Sequence, residues 1–229
     1  MSLSQHYKNL FSEFLNKVKS TNVLVDELID SENDTRYGIT LLIRPPIFIK
    51  NKIQIFLDDL RKIEPIQYYY RNSDIHITVM SIISCHNGFD LSKINLEDYF
   101  SVISKSIENE KSFEIIFRGI TATQSAIMVQ GFWEENTLNN IRDNLRENFR
   151  QTDLEQSLDK RYSIKTAHST IVRFRNDIKE KDKFIELLEK YRNYNFGKFG
   201  VNELEFVAND WYQKIEKVKL LKTFKLGKK

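Results

Sequence analysis

Two short stretches carry the residues best suited to chemistry: Ile75-His76-Ile77-Thr78-Val79-Met80 and Ala167-His168-Ser169-Thr170-Ile171-Val172. In an extended strand successive side chains alternate between faces, so His76 and Thr78 share one face while Ile75, Ile77 and Val79 share the other. His168 and Thr170 repeat the arrangement. An imidazole with an ordinary pKa of about 6.5 serves as acid or base near neutral pH, so two of them, one neutral and one protonated, form an acid–base pair. A hydroxyl about 7 Å along the same strand face is placed to donate to a phosphate oxygen. Such a site needs no metal, and the chain offers no dense cluster of carboxylates to hold one. One His-x-Thr alone says little, since both residue types are common in strands and turns. Two copies in apolar strands, with enough chain between them for a lobe, carry the case.

The elements around these stretches follow from hydrophobic periodicity. Tyr7, Leu10, Phe11, Phe14, Leu15 and Val18 fall at helical spacing over 4–20 and predict an amphipathic helix on the outside of the fold, with His6 a solvated residue near its start. Residues 38–43 read as a buried strand stopped by Pro45-Pro46, and 49–60 as a helix ended by Pro65. The first motif strand is expected over 67–83, with an irregularity near Asn72-Ser73. A helix follows over 95–108, a hairpin over 113–119 and 126–132, and a helix over 137–150 capped by Asn136 or Thr137. The second motif strand is expected over 163–174, a helix over 181–191, and closing strands over 196–226, clearest at 201–208 and 217–226. The order strand, helix, motif strand, helix thus occurs twice, which predicts two similar lobes facing each other.

Composition sets the frame. The 229 residues carry 35 basic and 32 acidic side chains, a net +3 that gives no strong global field toward nucleic acid. No apolar run approaches the roughly 18 residues of a membrane span, and Met1 to Lys8 lacks the apolar region of a signal peptide. Cys85, the single cysteine, excludes an internal disulfide and reads as a buried thiol, with His86 at the rim. The expected setting is cytoplasmic. Tyr70, Arg44 and Arg118 are candidate substrate-binding residues, Tyr70 for stacking within Tyr68-Tyr69-Tyr70 and the arginines for phosphate. Strict alternation puts Arg173 and Arg175 on the face opposite His168. Trp133 and Trp211-Tyr212 read as core or rim aromatics, and Lys222, Lys225, Lys228 and Lys229 as a solvated basic tail.

The doubled pattern, His76-Ile77-Thr78-Val79 and His168-Ser169-Thr170-Ile171, resembles the signature of the 2H phosphoesterase superfamily, which includes the 2′-5′ RNA ligase-like proteins and cyclic nucleotide phosphodiesterases. The resemblance implies an α+β, bilobal fold: two pseudo-symmetric lobes of mainly antiparallel sheet with outer helices and a central cleft, in one domain over 1–229. The core would span about 38–226, with 1–37 an N-terminal helix and loop outside the resemblance. It further implies that His76 and His168 are general acid and base, and that Thr78 and Thr170 hold phosphate oxygens. The implied reaction is metal-independent hydrolysis of a 2′,3′-cyclic phosphate or a 2′-5′ phosphodiester at an RNA end or in a small nucleotide, with no cofactor, no membrane partner and a monomeric state. The alternative is a nucleotide- or RNA-binding protein of the same fold with little catalysis. Ser169, where the first motif has Ile77, implies a less tightly packed second strand.

Overall fold

The computed structural model describes residues 1–160 and 163–228, so Lys229 of the basic tail lies outside the described residues. Helix α1 (Leu3–Ser20) opens with Ser2, whose hydroxyl accepts from the Gln5 amide, and buries Tyr7, Phe11, Phe14 and Val18. It packs on strand β4 (Phe113–Thr123). The remaining helices are α2 (Ile47–Ile63), α3 (Leu96–Ile107), α4 (Thr137–Arg150) and α5 (Lys181–Lys190). Asn136 occupies the cap position of α4, but its side chain makes no capping bond. None of the described helices is long and apolar enough to cross a membrane.

The strands form two antiparallel sheets. One has the order β3-β1-β8-β9 and uses β1 (Tyr37–Ile43), β3 (Ile77–His86), β8 (Glu203–Asp210) and β9 (Lys219–Lys225). The other has the order β2-β6-β5-β4-β7 and adds β2 (Tyr68–Tyr69), β5 (Ala126–Phe132), β6 (Ser169–Arg173) and β7 (Asn195–Val201). Each sheet carries one motif strand, β3 or β6. The lobes are not successive halves of the chain, because β8 and β9 return to the first sheet and β2 crosses to the second.

That crossing corrects the expected strand over 67–83. Tyr68 and Tyr69 pair with Arg173 and Val172 of β6, a turn at 71–74 breaks the chain, and the first motif then starts β3 in the other sheet. The expected second motif strand over 163–174 is also shorter. Only Ser169–Arg173 joins the ladder, and His168 sits just before it. The closing stretch 201–208 is divided between β7 and β8, with Asn202 between them.

Bulges decide which side chains reach the space between the sheets. In the β1–β3 pair Leu41 opposes Met80 while Leu42 opposes Thr78, so Val79 is an extra residue; further shifts follow toward His86. Each bulge advances the strand by one residue and increases its twist. The burial of β3 accordingly follows a three-residue period, in which Thr78, Ser81 and Ser84 are the partly exposed positions.

β3 is an edge strand, and its outward carbonyls need partners. Arg142, 1% exposed on α4, supplies them. Its Nε donates to the Val79 carbonyl at 3.0 Å, and Nη2 donates to the Thr78 carbonyl at 3.1 Å and the Thr166 carbonyl at 2.7 Å. One guanidinium therefore joins both motif segments. Further along the edge, the Ser157 amide donates to the Ile82 carbonyl and the Ser157 hydroxyl accepts from the Ser84 amide. Replacing Arg142 with methionine leaves three buried carbonyls without their donor. Its expected cost is about 3 kcal/mol of folding stability, read from the urea midpoint at constant m-value. Arg142→Lys, with one compact donor head, should recover only part of it.

Candidate active site

His76, Thr78, His168 and Thr170 line one cavity of about 170 Å³ between the two motif strands. Tyr70 and Arg173 complete the same wall. The His76 Nδ1 lies 2.7 Å from the Asp74 carbonyl. A carbonyl only accepts, so Nδ1 carries the proton and Nε2 is left for the cavity. Asp74 is itself anchored: its carboxylate accepts from the Ser73 hydroxyl at 2.7 Å and from the Ile215 amide at 3.1 Å. The His168 Nδ1 is held by the Thr166 hydroxyl at 2.6 Å. Both imidazoles are thus fixed at Nδ1 by the residue two positions earlier, one through backbone and one through a side chain.

Desolvation pushes the His76 pKa down to about 3, with the charges of Arg44, His168 and Arg173 adding to it against the Asp74 carbonyl. His168 falls to about 4, again chiefly through burial, with Arg142, Arg173 and His6 contributing. The free site therefore holds two neutral imidazoles among cations at neutral pH. Asp159, an acidic side chain on the wall, is paired with Arg146 at 2.6 Å. An anion entering this cavity meets guanidinium and hydroxyl donors and restores the proton affinity of both rings.

Arg173 corrects the alternation argument. Ile127 pairs with Val172 and Met128 with Thr170, so Ile171 is bulged, and the extra residue turns Arg173 to the side of Thr170. Its Nε donates to the Tyr70 hydroxyl at 3.3 Å, which orders a buried tyrosine and a guanidinium together. Arg175 lies elsewhere, paired with Asp30 at 2.7 Å and stacked on Tyr68.

Two further sequence candidates also need correction. Arg44 is not among the side chains lining the cavity: its guanidinium is engaged by the Ser73 carbonyl at 3.1 Å, by Glu205 and by Gln213. It acts behind His76, holding the turn that carries it. Arg118 is exposed on β4 opposite Asn195 of β7 and stacks on Phe132 at 5.1 Å, away from the cavity. Trp211 lines the cavity, with Arg36 at 4.9 Å and Arg173 at 5.7 Å from its ring. Cys85 is buried and on the wall, and His86 is exposed. His6 is half-buried rather than solvated and adds to the field on His168.

The sequence reading missed Arg142 and Thr166. Arg142 had a signal: it stands on the apolar stripe of α4 with Leu138, Ile141, Leu145 and Phe149, where an unpaired cation is out of place. Among the described residues, no group of three or more His, Cys, Asp or Glu side chains comes together to hold a metal ion.

Two apposed antiparallel sheets that share one cavity are the architecture of the 2H phosphoesterase superfamily. A crystal structure of a phosphoesterase matches with a TM-score of 0.58 at 14% identity, covering 84% of this chain and 99% of the other. Escherichia coli LigT complexed with 3′-AMP gives 0.56 at 13% identity, covering 83% and 98%. TT0787 of Thermus thermophilus gives 0.58 at 14% identity, covering 82% and 97%. At such identities the likeness is one of fold. No curated protein matches the sequence. The chain belongs to the AKAP7 2′5′ RNA ligase-like domain family, whose model matches residues 47–220. The match begins beyond α1 and β1.

The depressed histidine pKa values carry a sign. The unfolded imidazoles bind protons near pH 6.5 and the folded ones only near 4 and 3, so stability is complete above about pH 6.5 and is lost as pH falls toward the folded values. In urea unfolding between pH 7 and 4 this slope should flatten when His76 and His168 are both replaced by glutamine. Histidine proton resonances titrated by NMR should move to higher pKa when inorganic phosphate is added; unchanged titration at saturating phosphate would contradict anion binding at these rings.

Proposed function

We propose that this protein is a metal-independent phosphodiesterase that hydrolyses a 2′,3′-cyclic phosphate or a 2′-5′ phosphodiester of an RNA end or small nucleotide. One observation carries the reading: His76, Thr78, His168, Thr170 and Arg173 converge on a single cavity from two sheets. The family description and the binding of 3′-AMP by the structurally similar LigT support a nucleotide as the ligand class. We take the protein to act in the cytoplasm as a monomer.

In the proposed reaction a neutral imidazole accepts a proton from water at Nε2 while the water oxygen bonds to phosphorus. The bond from phosphorus to the leaving ribose oxygen breaks, and the second imidazole, protonated, gives that oxygen a proton. Thr78, Thr170 and Arg173 donate to the non-bridging oxygens, whose charge grows in the transition state. The substrate phosphate itself makes the protonated imidazole accessible, since its negative charge opposes the desolvation and cationic neighbours that keep both rings neutral.

The same low proton affinities favour a second reading, in which the cavity binds a nucleotide without turning it over because no acid forms. Turnover separates the two. His76→Ala and His168→Ala should each lower hydrolysis of a 2′,3′-cyclic mononucleotide by about 10³-fold while leaving the fold intact, and the rate should follow a bell-shaped pH profile. Chelator should leave the rate unchanged. Binding without product in the unmodified protein would favour the second reading, and full activity in the double alanine variant would remove the first.

A further inference from the structure

Strand β8 ends at Asp210, which shapes the turn that follows. Its carbonyl accepts from the Gln213 backbone amide at 3.3 Å, and its carboxylate accepts from the Lys214 backbone amide at 2.9 Å. Within this turn Gln213 takes a φ of 59°, in the left-handed region that residues with a Cβ rarely enter. Asp159, with a φ of 56°, is the other such non-glycine residue among those described, and both line the cavity. Backbone of this kind persists where the surrounding structure holds it there, which is common at ligand sites.

Gln213 is 3% exposed, and its carboxamide has one defined orientation. Nη2 of Arg44 lies 3.5 Å from Oε1, and a guanidinium only donates, so the oxygen faces Arg44 and Nε2 is the end left over. Among the described residues Nε2 has no acceptor. A buried –NH₂ on a wall that already gathers two imidazoles, two hydroxyls and a guanidinium needs an acceptor from outside the chain. The turn is also tied to His76. Nη1 of Arg44 donates to the Ser73 carbonyl at 3.1 Å, and the Ile215 amide donates to the carboxylate of Asp74, whose carbonyl holds the His76 ring. The Gln213 carboxamide thus belongs to the His76 end of the cavity.

We propose that Gln213 donates from Nε2 to an oxygen of the bound phosphate group, beside Thr78, Thr170 and Arg173, an assignment that rests on the reading of this cavity as a phosphate site. A neutral donor suits the position. Arg44 and Arg173 already lower the proton affinity of His76, and a further cation would lower it more, whereas a carboxamide supplies N–H groups without net charge. Arg44, by holding Oε1, fixes which end of the carboxamide meets the anion.

Inorganic phosphate and 3′-AMP, titrated by calorimetry into the unmodified protein and two variants, read this contact without turnover. Gln213→Met removes donor and acceptor together, while Gln213→Glu keeps the acceptor for Arg44 and removes only the donor. Each variant should bind both ligands about 10-fold more weakly. Affinity kept in Gln213→Glu would reduce the side chain to a brace for Arg44, and affinity kept in Gln213→Met would show that no donor is needed; either result would overturn the proposal. Gln213→Gly meets the left-handed backbone without strain and should lose the same affinity, which decides the matter even if Gln213→Met fails to fold. The side-chain ¹H–¹⁵N signals of Gln213, assigned by their absence in the variants, should shift on saturation with phosphate, and unmoved signals would count against the contact. No binding of either ligand by the unmodified protein would overturn both this assignment and the phosphate-site reading. The expected pattern of binding, with no hydrolysis of a 2′,3′-cyclic mononucleotide by the unmodified protein, would uphold Gln213 as a phosphate donor and count against the phosphodiesterase reading.

Discussion

The molecule depends on one buried guanidinium. Arg142 gathers the Thr78 and Val79 carbonyls of the first motif and the Thr166 carbonyl that precedes the second, so a single planar donor ties the edge of β3 to the segment leading into β6. Burial without a carboxylate partner is costly and pulls its pKa down to about 10. One of its nitrogens, Nη1, finds no partner at all. An apolar side chain would avoid that cost yet leave the edge of β3 unpaired. The three carbonyls it satisfies offset the cost of burying the charge, and the position it secures is that of the two histidine segments.

Its charge has a second effect. Arg142 and Arg173 act on His168, and Arg44 and Arg173 act on His76, so the cations that shape the cavity also hold both rings neutral. Desolvation works in the same direction. In the proposed reaction the substrate phosphate supplies the negative charge that lets one imidazole hold a second proton.

Much of the fold was legible. The apolar spacing over 4–20, 49–60, 137–150 and 181–191 corresponds to helices Leu3–Ser20, Ile47–Ile63, Thr137–Arg150 and Lys181–Lys190, because an amphipathic helix writes its buried face into a 3.6-residue period. Strands were harder. Alternation predicts facing residues only while the ladder is regular, and β3 and β6 are both bulged. The Ile171 bulge is why alternation puts Arg173 on the wrong face, and the break at 71–74 is why a continuous strand puts Tyr68 and Tyr69 in the wrong sheet. No local pattern announces that β2 crosses to one lobe while β8 and β9 return to the other.

The sequence by itself determined the helices, the paired polar positions of each motif and the exclusion of an internal disulfide, since these depend on residue type and near-neighbour spacing. Only the tertiary structure decided which cations serve the cavity. Arg44, Arg118, Arg142 and Arg173 look alike along the chain. Yet one lines the cavity, one braces the turn behind His76, one joins the two motif segments and one faces solvent. The reason is that a long charged side chain takes its role from whichever backbone carbonyls, carboxylates and rings surround its head group, and those come from residues far away in sequence.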